Sequence, residues 1–117
     1  MTCEPEHRLP AHLEVAGMIR RVQAAGGFAS VTAKGERDAG TIMFVTTCNG
    51  RNYQAWERMP QVDGTRQWEA VRSDEHGYGE AFSAWLDRRR TQDSDLWIVE
   101  LDIADAAQFI GFAPRAG

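Results

Sequence analysis

The densest group of residues able to do chemistry lies late in the chain, where Arg88, Arg89 and Arg90 precede Asp93, Asp95 and Glu100. Paired carboxylates hold Mg²⁺ or perform acid–base work when they converge on one cleft, and guanidinium groups bind phosphate. One reading is therefore a small hydrolase or phosphate-ligand enzyme built on Asp93, Asp95 and the Arg88–Arg90 turn. It predicts a concave pocket at that turn. Strand alternation places Asp95 on the face of Trp97 and Glu100 on the opposite face with Leu96 and Ile98, so those two carboxylates are poorly set to cooperate. Surface ion pairs explain the same residues more simply, and no catalytic residue is assigned.

Other constellations are weaker. Cys3, His7 and His12 form a C-x3-H-x4-H run of donors suited to zinc, but the spacing matches no standard structural site and no CxxC partner follows. Ser73, Asp74 and His76 supply the residue types of a hydrolase triad, yet triads gather residues distant in sequence. Helix capping accounts for Ser73 and Asp74. His76-Gly77-Tyr78-Gly79 lacks the lysine and third glycine of a phosphate loop. Neither a metal nor a cofactor is expected.

Four tryptophans in 117 residues say more. Trp85 falls on a helical stripe, while Trp56, Trp68 and Trp97 fall on strand-like segments. Arg58, Arg66 and Arg72 lie among them, a mixture enriched at protein interfaces and able to stack nucleobases. Closing the core, with arginines solvating its rim, explains the same rings as packing. The leading functional reading is a non-catalytic binding or accessory protein. It would act through this aromatic and arginine sheet face on an unidentified protein partner or on a second copy of itself. Single-stranded nucleic-acid binding is a further alternative.

The elements that must position these residues follow from periodicity. Val15, Met18, Ile19 and Val22 recur at helical spacing after Pro10, and Gly26-Gly27 ends that helix. Gly17 inside it costs up to about 1 kcal/mol against alanine unless something packs closely there. Phe28–Lys34 and Thr41–Cys48 read as strands, and Asn49-Gly50 is a tight hairpin turn leading into Asn52–Arg58. Gln67–Arg72 completes a four-strand meander. A second helix begins near Ser73 or Asp74, with Tyr78, Phe82, Trp85, Leu86 and Arg89 on one face. Asp95–Ile103 is a fifth strand, apolar on both sides and so placed centrally, and 104–110 forms a short helical turn. The fold class is α+β: about five strands in a mainly antiparallel sheet with two helices against it, in the order α-β-β-β-β-α-β.

Length allows one domain, with residues 1–8 as a flexible arm, 9–110 as the folded unit and 111–117 as a frayed tail. The chain carries 13 basic and 17 acidic residues, a net charge of −4, which argues against duplex nucleic acid. No apolar run is long enough for a membrane span, and no export signal opens the chain. A cytoplasmic location with reduced Cys3 and Cys48 follows.

The double arginine Arg20-Arg21, the glycine-bounded meander and the segment Asp93–Glu100 together resemble a family of small bacterial proteins, domain of unknown function 1491. The likeness runs from Arg8 to Ile110 and is most specific at Asp95–Glu100. Proline is common in that family where Ser94 stands here, a difference that touches turn rigidity. The resemblance implies a single cytosolic domain and brings no activity, cofactor or catalytic residue.

Overall fold

Two uninterrupted buried runs, apolar but for Thr46 and Thr47, set the architecture. Ile42–Thr47 and Leu96–Val99 are buried at every residue, so each must be covered on both faces. In the computed structural model, which describes residues 9–74 and 79–112, they form two adjacent inner strands of a single sheet. The elements in chain order are α1 (Ala11–Ala24), β1 (Phe28–Ala33), β2 (Ile42–Cys48), β3 (Arg51–Pro60), β4 (Arg66–Asp74), α2 (Glu80–Gln92), β5 (Trp97–Asp102) and α3 (Ala106–Phe112).

The five strands lie in the order β1-β5-β2-β3-β4. β5 is central, as its two-sided apolar character requires. It runs antiparallel to β1 and parallel to β2, so the sheet is mixed, though its other pairs are antiparallel. The four-strand meander is corrected by this: only β2, β3 and β4 are consecutive neighbours, because β5 returns through the α2 crossover and separates β1 from β2. The class remains α+β with the expected element order.

Ile42, Phe44, Trp97, Val99 and Leu101 face one way and pack against Val15, Met18 and Val22 of α1 and Ile110 of α3. Met43, Val45, Ala55, Leu96 and Ile98 face the other way and pack against Phe82 and Leu86 of α2. Burying one such aliphatic or aromatic side chain contributes about 1.5–3 kcal/mol, so this sheet, filled on both sides, dominates stability.

Local chemistry sets the connections. Asn49 and Gly50 take φ of 55° and 76°, and Cys48 pairs with Arg51 across them, the two-residue turn that their residue types demand. The first amides of α1 have no side-chain cap. They donate instead to the carbonyls of Asp38 and Arg37, at 2.9 Å each. The second helix starts at Glu80 with Gly79 as its cap residue, later than Ser73 or Asp74. Those two residues extend β4, paired with Gln54 and Tyr53, so strand pairing took residues that capping chemistry also suits. The short turn expected at 104–110 is a third helix, α3. The expectations for residues 1–8 and for 113–117 lie outside the described residues.

Gly35 and Gly40 hold the segment after β1 against the turn before β5. A Cβ on either would collide with the Asp95 carbonyl oxygen. That approach lets the Glu36 amide donate to Asp95 O at 3.0 Å and the Trp97 indole donate to Glu36 O at 2.7 Å. Gly17 differs, since nothing lies within 4 Å of a Cβ built there. Gly17→Ala is expected to stabilise the protein by up to about 1 kcal/mol through helix propensity. Gly35→Ala is expected to destabilise it by roughly 2–4 kcal/mol through backbone displacement. Urea unfolding of both variants checks the two signs.

Candidate functional site

Trp56, Trp68 and Trp97 are brought together with Arg58 on the α1 side of the sheet, where they pack, while Arg66 and Arg72 lie apart from them. Trp97 is 4% exposed and belongs to the core. Trp56 is half-buried and donates its indole N–H to the Thr46 hydroxyl at 2.9 Å, satisfying a polar group inside the sheet. Trp68 is half-buried with its ring 5.2 Å from that of Phe44. The Arg58 guanidinium lies 4.8 Å over Trp68 and grips both carboxylate oxygens of Glu14, at 2.9 and 3.0 Å. Trp68 and Arg58 thus tie α1 to the β3–β4 side of the sheet. Arg66 is exposed at the hairpin end, paired in register with Pro60.

Arg72 lies on the opposite face. The register between β3 and β4 shifts at Ala55/Trp56, and both Val71 and Arg72 turn toward α2. Arg72 and Arg89 sit 5.5 and 5.6 Å from the centroid of Trp85, and Arg89 also pairs with the buried carboxylate of Glu57. Arg89 is therefore a docking residue of α2.

A second polar group lies where the parallel strands β2 and β5 end, the edge at which open α/β sheets most often hold ligands. Glu100 is half-buried on the α2 face and is hydrogen-bonded by the Tyr53 hydroxyl. Burial, and then the nearby Asp102 carboxylate, push the Glu100 carboxyl above its usual value of 4.5, against the pull of Tyr53. Burial and the Glu100 charge likewise raise the Tyr53 phenol. Asp102 accepts the Asn49 amide at 2.9 Å and so braces the hairpin turn. Glu100 and Asp95 stand at opposite ends of β5, so no shared carboxylate site forms.

The third group is a cleft of about 470 Å³ at the other end of β5. Lys34 at the end of β1, Asp87, Arg90 and Thr91 on the last turns of α2, and Asp93 and Ser94 on the turn into β5 surround it. Ala33 and Leu96, both buried, form its floor. The walls are firmly shaped. The Asp93 amide donates to Arg89 O at 3.0 Å, closing the helix. Asp93 Oδ1 accepts the Asp95 amide at 3.0 Å, and the Thr91 hydroxyl donates to Asp87 O at 3.0 Å.

Its charges are held loosely by comparison. Arg90 reaches only to 3.9 Å from Asp87, with both side chains more than half exposed. Lys34, the chain's one lysine, has no ion pair among the described residues. Of the late acidic and basic residues, the structure brings Asp93 and Arg90 to this cleft. Asp95 and Arg88 are exposed and do not line it. Lys34, Asp87, Thr91 and Ser94 were not singled out by sequence. The signal that points to Lys34 is the neighbouring pair of Ala33 with Ile98, which requires knowing that β1 lies beside β5.

No three His, Cys, Asp or Glu residues among the described ones form a group able to hold a metal ion. Cys3 and His7 of the C-x3-H-x4-H run, and His76 of the triad-like run, lie outside the described residues. His12 is within α1, with Nδ1 3.1 Å from Arg37 O. No helix among the described residues is long and apolar enough to cross a membrane.

The fold and cleft define a three-layer α+β domain with a mixed central sheet and a polar opening at the start of its inner strand. Residues 9–111 match the family described as protein of unknown function (DUF1491), and the chain belongs to that family, as the segment Asp95–Glu100 implied. A crystal structure of a DUF1491 family protein from Caulobacter crescentus CB15 is similar at TM-score 0.74 and 27% identity, covering 87% of this chain and 94% of that one. The solution structure of protein Atu0922 from A. tumefaciens is similar at TM-score 0.73 and 33% identity, covering 90% and 94%. No curated protein matches the chain.

The Glu100 geometry carries a pH prediction. A carboxyl raised in the folded state favours folding most when protonated, so its stabilising share is present at acid pH and lost as pH rises through its titration. Glu100→Gln is therefore expected to be more stable than the parent at pH 7. The difference should shrink steadily as pH falls toward the ordinary glutamate value of 4.5. Thermal unfolding of both proteins across that range measures it.

Proposed function

We propose that the protein is a small cytosolic binding protein whose ligand is a small anion, phosphate- or carboxylate-bearing, that also carries hydroxyl or amino donors. The supporting observation is the cleft itself. Lys34, with no ion pair among the described residues, and Arg90, whose ion pair with Asp87 is a 3.9 Å contact, face a 470 Å³ space beside two carboxylates and two hydroxyls. Such a set recognises both ends of a polar ligand. The cations take the anionic group, and Asp87, Asp93 and the hydroxyls of Thr91 and Ser94 take its donors. The apolar floor of Ala33 and Leu96 gives a short carbon chain a place to lie.

Binding suits this set better than acid–base catalysis. Asp93 already spends Oδ1 on the Asp95 amide, which fixes it as a shaped acceptor. Asp87 and Arg90 are both more than half exposed to solvent. A sheet-face reading through Trp56, Trp68 and Arg58 is less well supported, because those side chains are engaged with Thr46, Phe44 and Glu14.

O-phosphoserine combines both required groups in a molecule that fits the volume and serves as the probe. Titration is expected to shift the backbone NMR signals of Lys34, Arg90 and Ser94 saturably. Lys34→Ala with Arg90→Ala should weaken binding at least about tenfold, or 1.4 kcal/mol, without loss of fold. Shifts elsewhere, or identical affinity in the double variant, would contradict the assignment.

A further inference from the structure

The two open edges of the sheet are built differently. β4 sets Arg66, Glu69, Arg72 and Asp74 along its length and carries a register shift against β3. β1 reads FASVTA and contains no charge and no proline. Charged side chains keep a second strand from adding to an edge, so β4 is protected; β1 has a register shift of its own between Val31 and Ala33 but no charge along Phe28–Ala33. The exposed apolar residues follow the same division. Of the five large ones among the described residues, Leu9, Leu13, Phe28 and Val31 belong to the stretch that builds α1 and β1, and only Val62 stands elsewhere. On β1 itself Phe28 and Ser30 lie on the α2 face and Val31 on the α1 face, so the strand exposes one large apolar side chain on each face of the sheet.

We infer that β1 is the contact between two copies of this chain, their β1 strands pairing antiparallel about a two-fold axis to join two five-stranded sheets into one. The strand complements itself. Opposed residues of an antiparallel pair share a face, so an axis at Ala29 sets Phe28 against Ser30 of the second copy and Ala29 against its own counterpart. This register uses the regular part of β1 and stops short of the irregularity between Val31 and Ala33. Phe28 is 75% exposed on the face that Ser30 shares, and Ser30 lies beside Glu100 on β5. Each ring would then cover a small polar residue and the flank of a half-buried carboxylate in the other copy.

A second copy makes that contact twice, whereas an unrelated extended strand makes it once. Strand pairing alone is a small contact, and here it also covers Phe28 and Val31, the two exposed large apolar side chains of β1, one on each face of the sheet. The pairing is independent of the Lys34–Arg90 cleft, whose lining does not include Phe28 or Val31.

Sedimentation equilibrium of the full chain near 50 μM, roughly the range for modest dimers, tests it. The expected result is twice the 13.1 kDa chain mass. Val31→Lys and, separately, Phe28→Glu should each yield monomer with an unchanged circular dichroism spectrum, both positions being exposed. Hydrogen exchange at the outward β1 amides should be slow in the parent and fast in either variant. A parent that stays monomeric, or variants that remain dimers, would overturn the inference.

Discussion

The pairing of β5 between β1 and β2 is the constraint on which the rest of this molecule hangs. Leu96, Ile98, Trp97, Val99 and Leu101 alternate between two separate cores, and each is at most 4% exposed. A strand with apolar side chains on both sides is stable only where both sides are covered, which means an interior slot with helices above and below. The chain reaches that slot late, after four strands are already built, by crossing one face as α2 and entering parallel to β2. α1 and α3 are then left the other face. The same insertion draws the segment after β1 across the turn before β5, where Gly35 and Gly40 allow backbone to meet backbone. The cleft at Lys34 and Arg90 is a consequence of this arrangement, being the gap between the end of β1 and the last turn of α2.

The tryptophans show how residues suited to binding become structural. Trp97 locks the 35–40 segment through its indole, Trp56 satisfies Thr46, and Trp68 pins Arg58 against Glu14. Trp85 is flanked by Arg72 and Arg89. In each case the aromatic body fills space between a helix and the sheet while a polar edge or a cation closes the rim. That division of labour suits a small domain, which has few layers in which to bury four large rings.

What could be read from sequence was what depends on neighbours along the chain. The helical spacing of Val15, Met18 and Val22, the Asn49-Gly50 turn and the two-sided run at Asp95–Glu100 each carry their structural meaning locally, and together they give the class and the central position of β5. The start of α2 was misread because Ser73 and Asp74 suit a helix cap and a strand end equally, and pairing with β3 decided between them. The division of the arginines was invisible for a different reason. Whether Arg72 faces α1 with Trp68 or α2 with Trp85 turns on a one-residue register shift within β3–β4. The cleft was half legible: Arg90 and Asp93 are sequence neighbours, but Lys34 joins them only through the β1–β5 pairing.

Native-state hydrogen exchange tests the primacy of β5 most directly. Strands buried on both faces open only when the whole domain unfolds, whereas edge strands open locally. The amides of Trp97–Leu101 are predicted to exchange with the full free energy of global unfolding, above those of β4. β5 amides that exchange through a smaller opening while β3 and β4 stay protected would contradict the account, because the meander would then stand without the strand said to organise it.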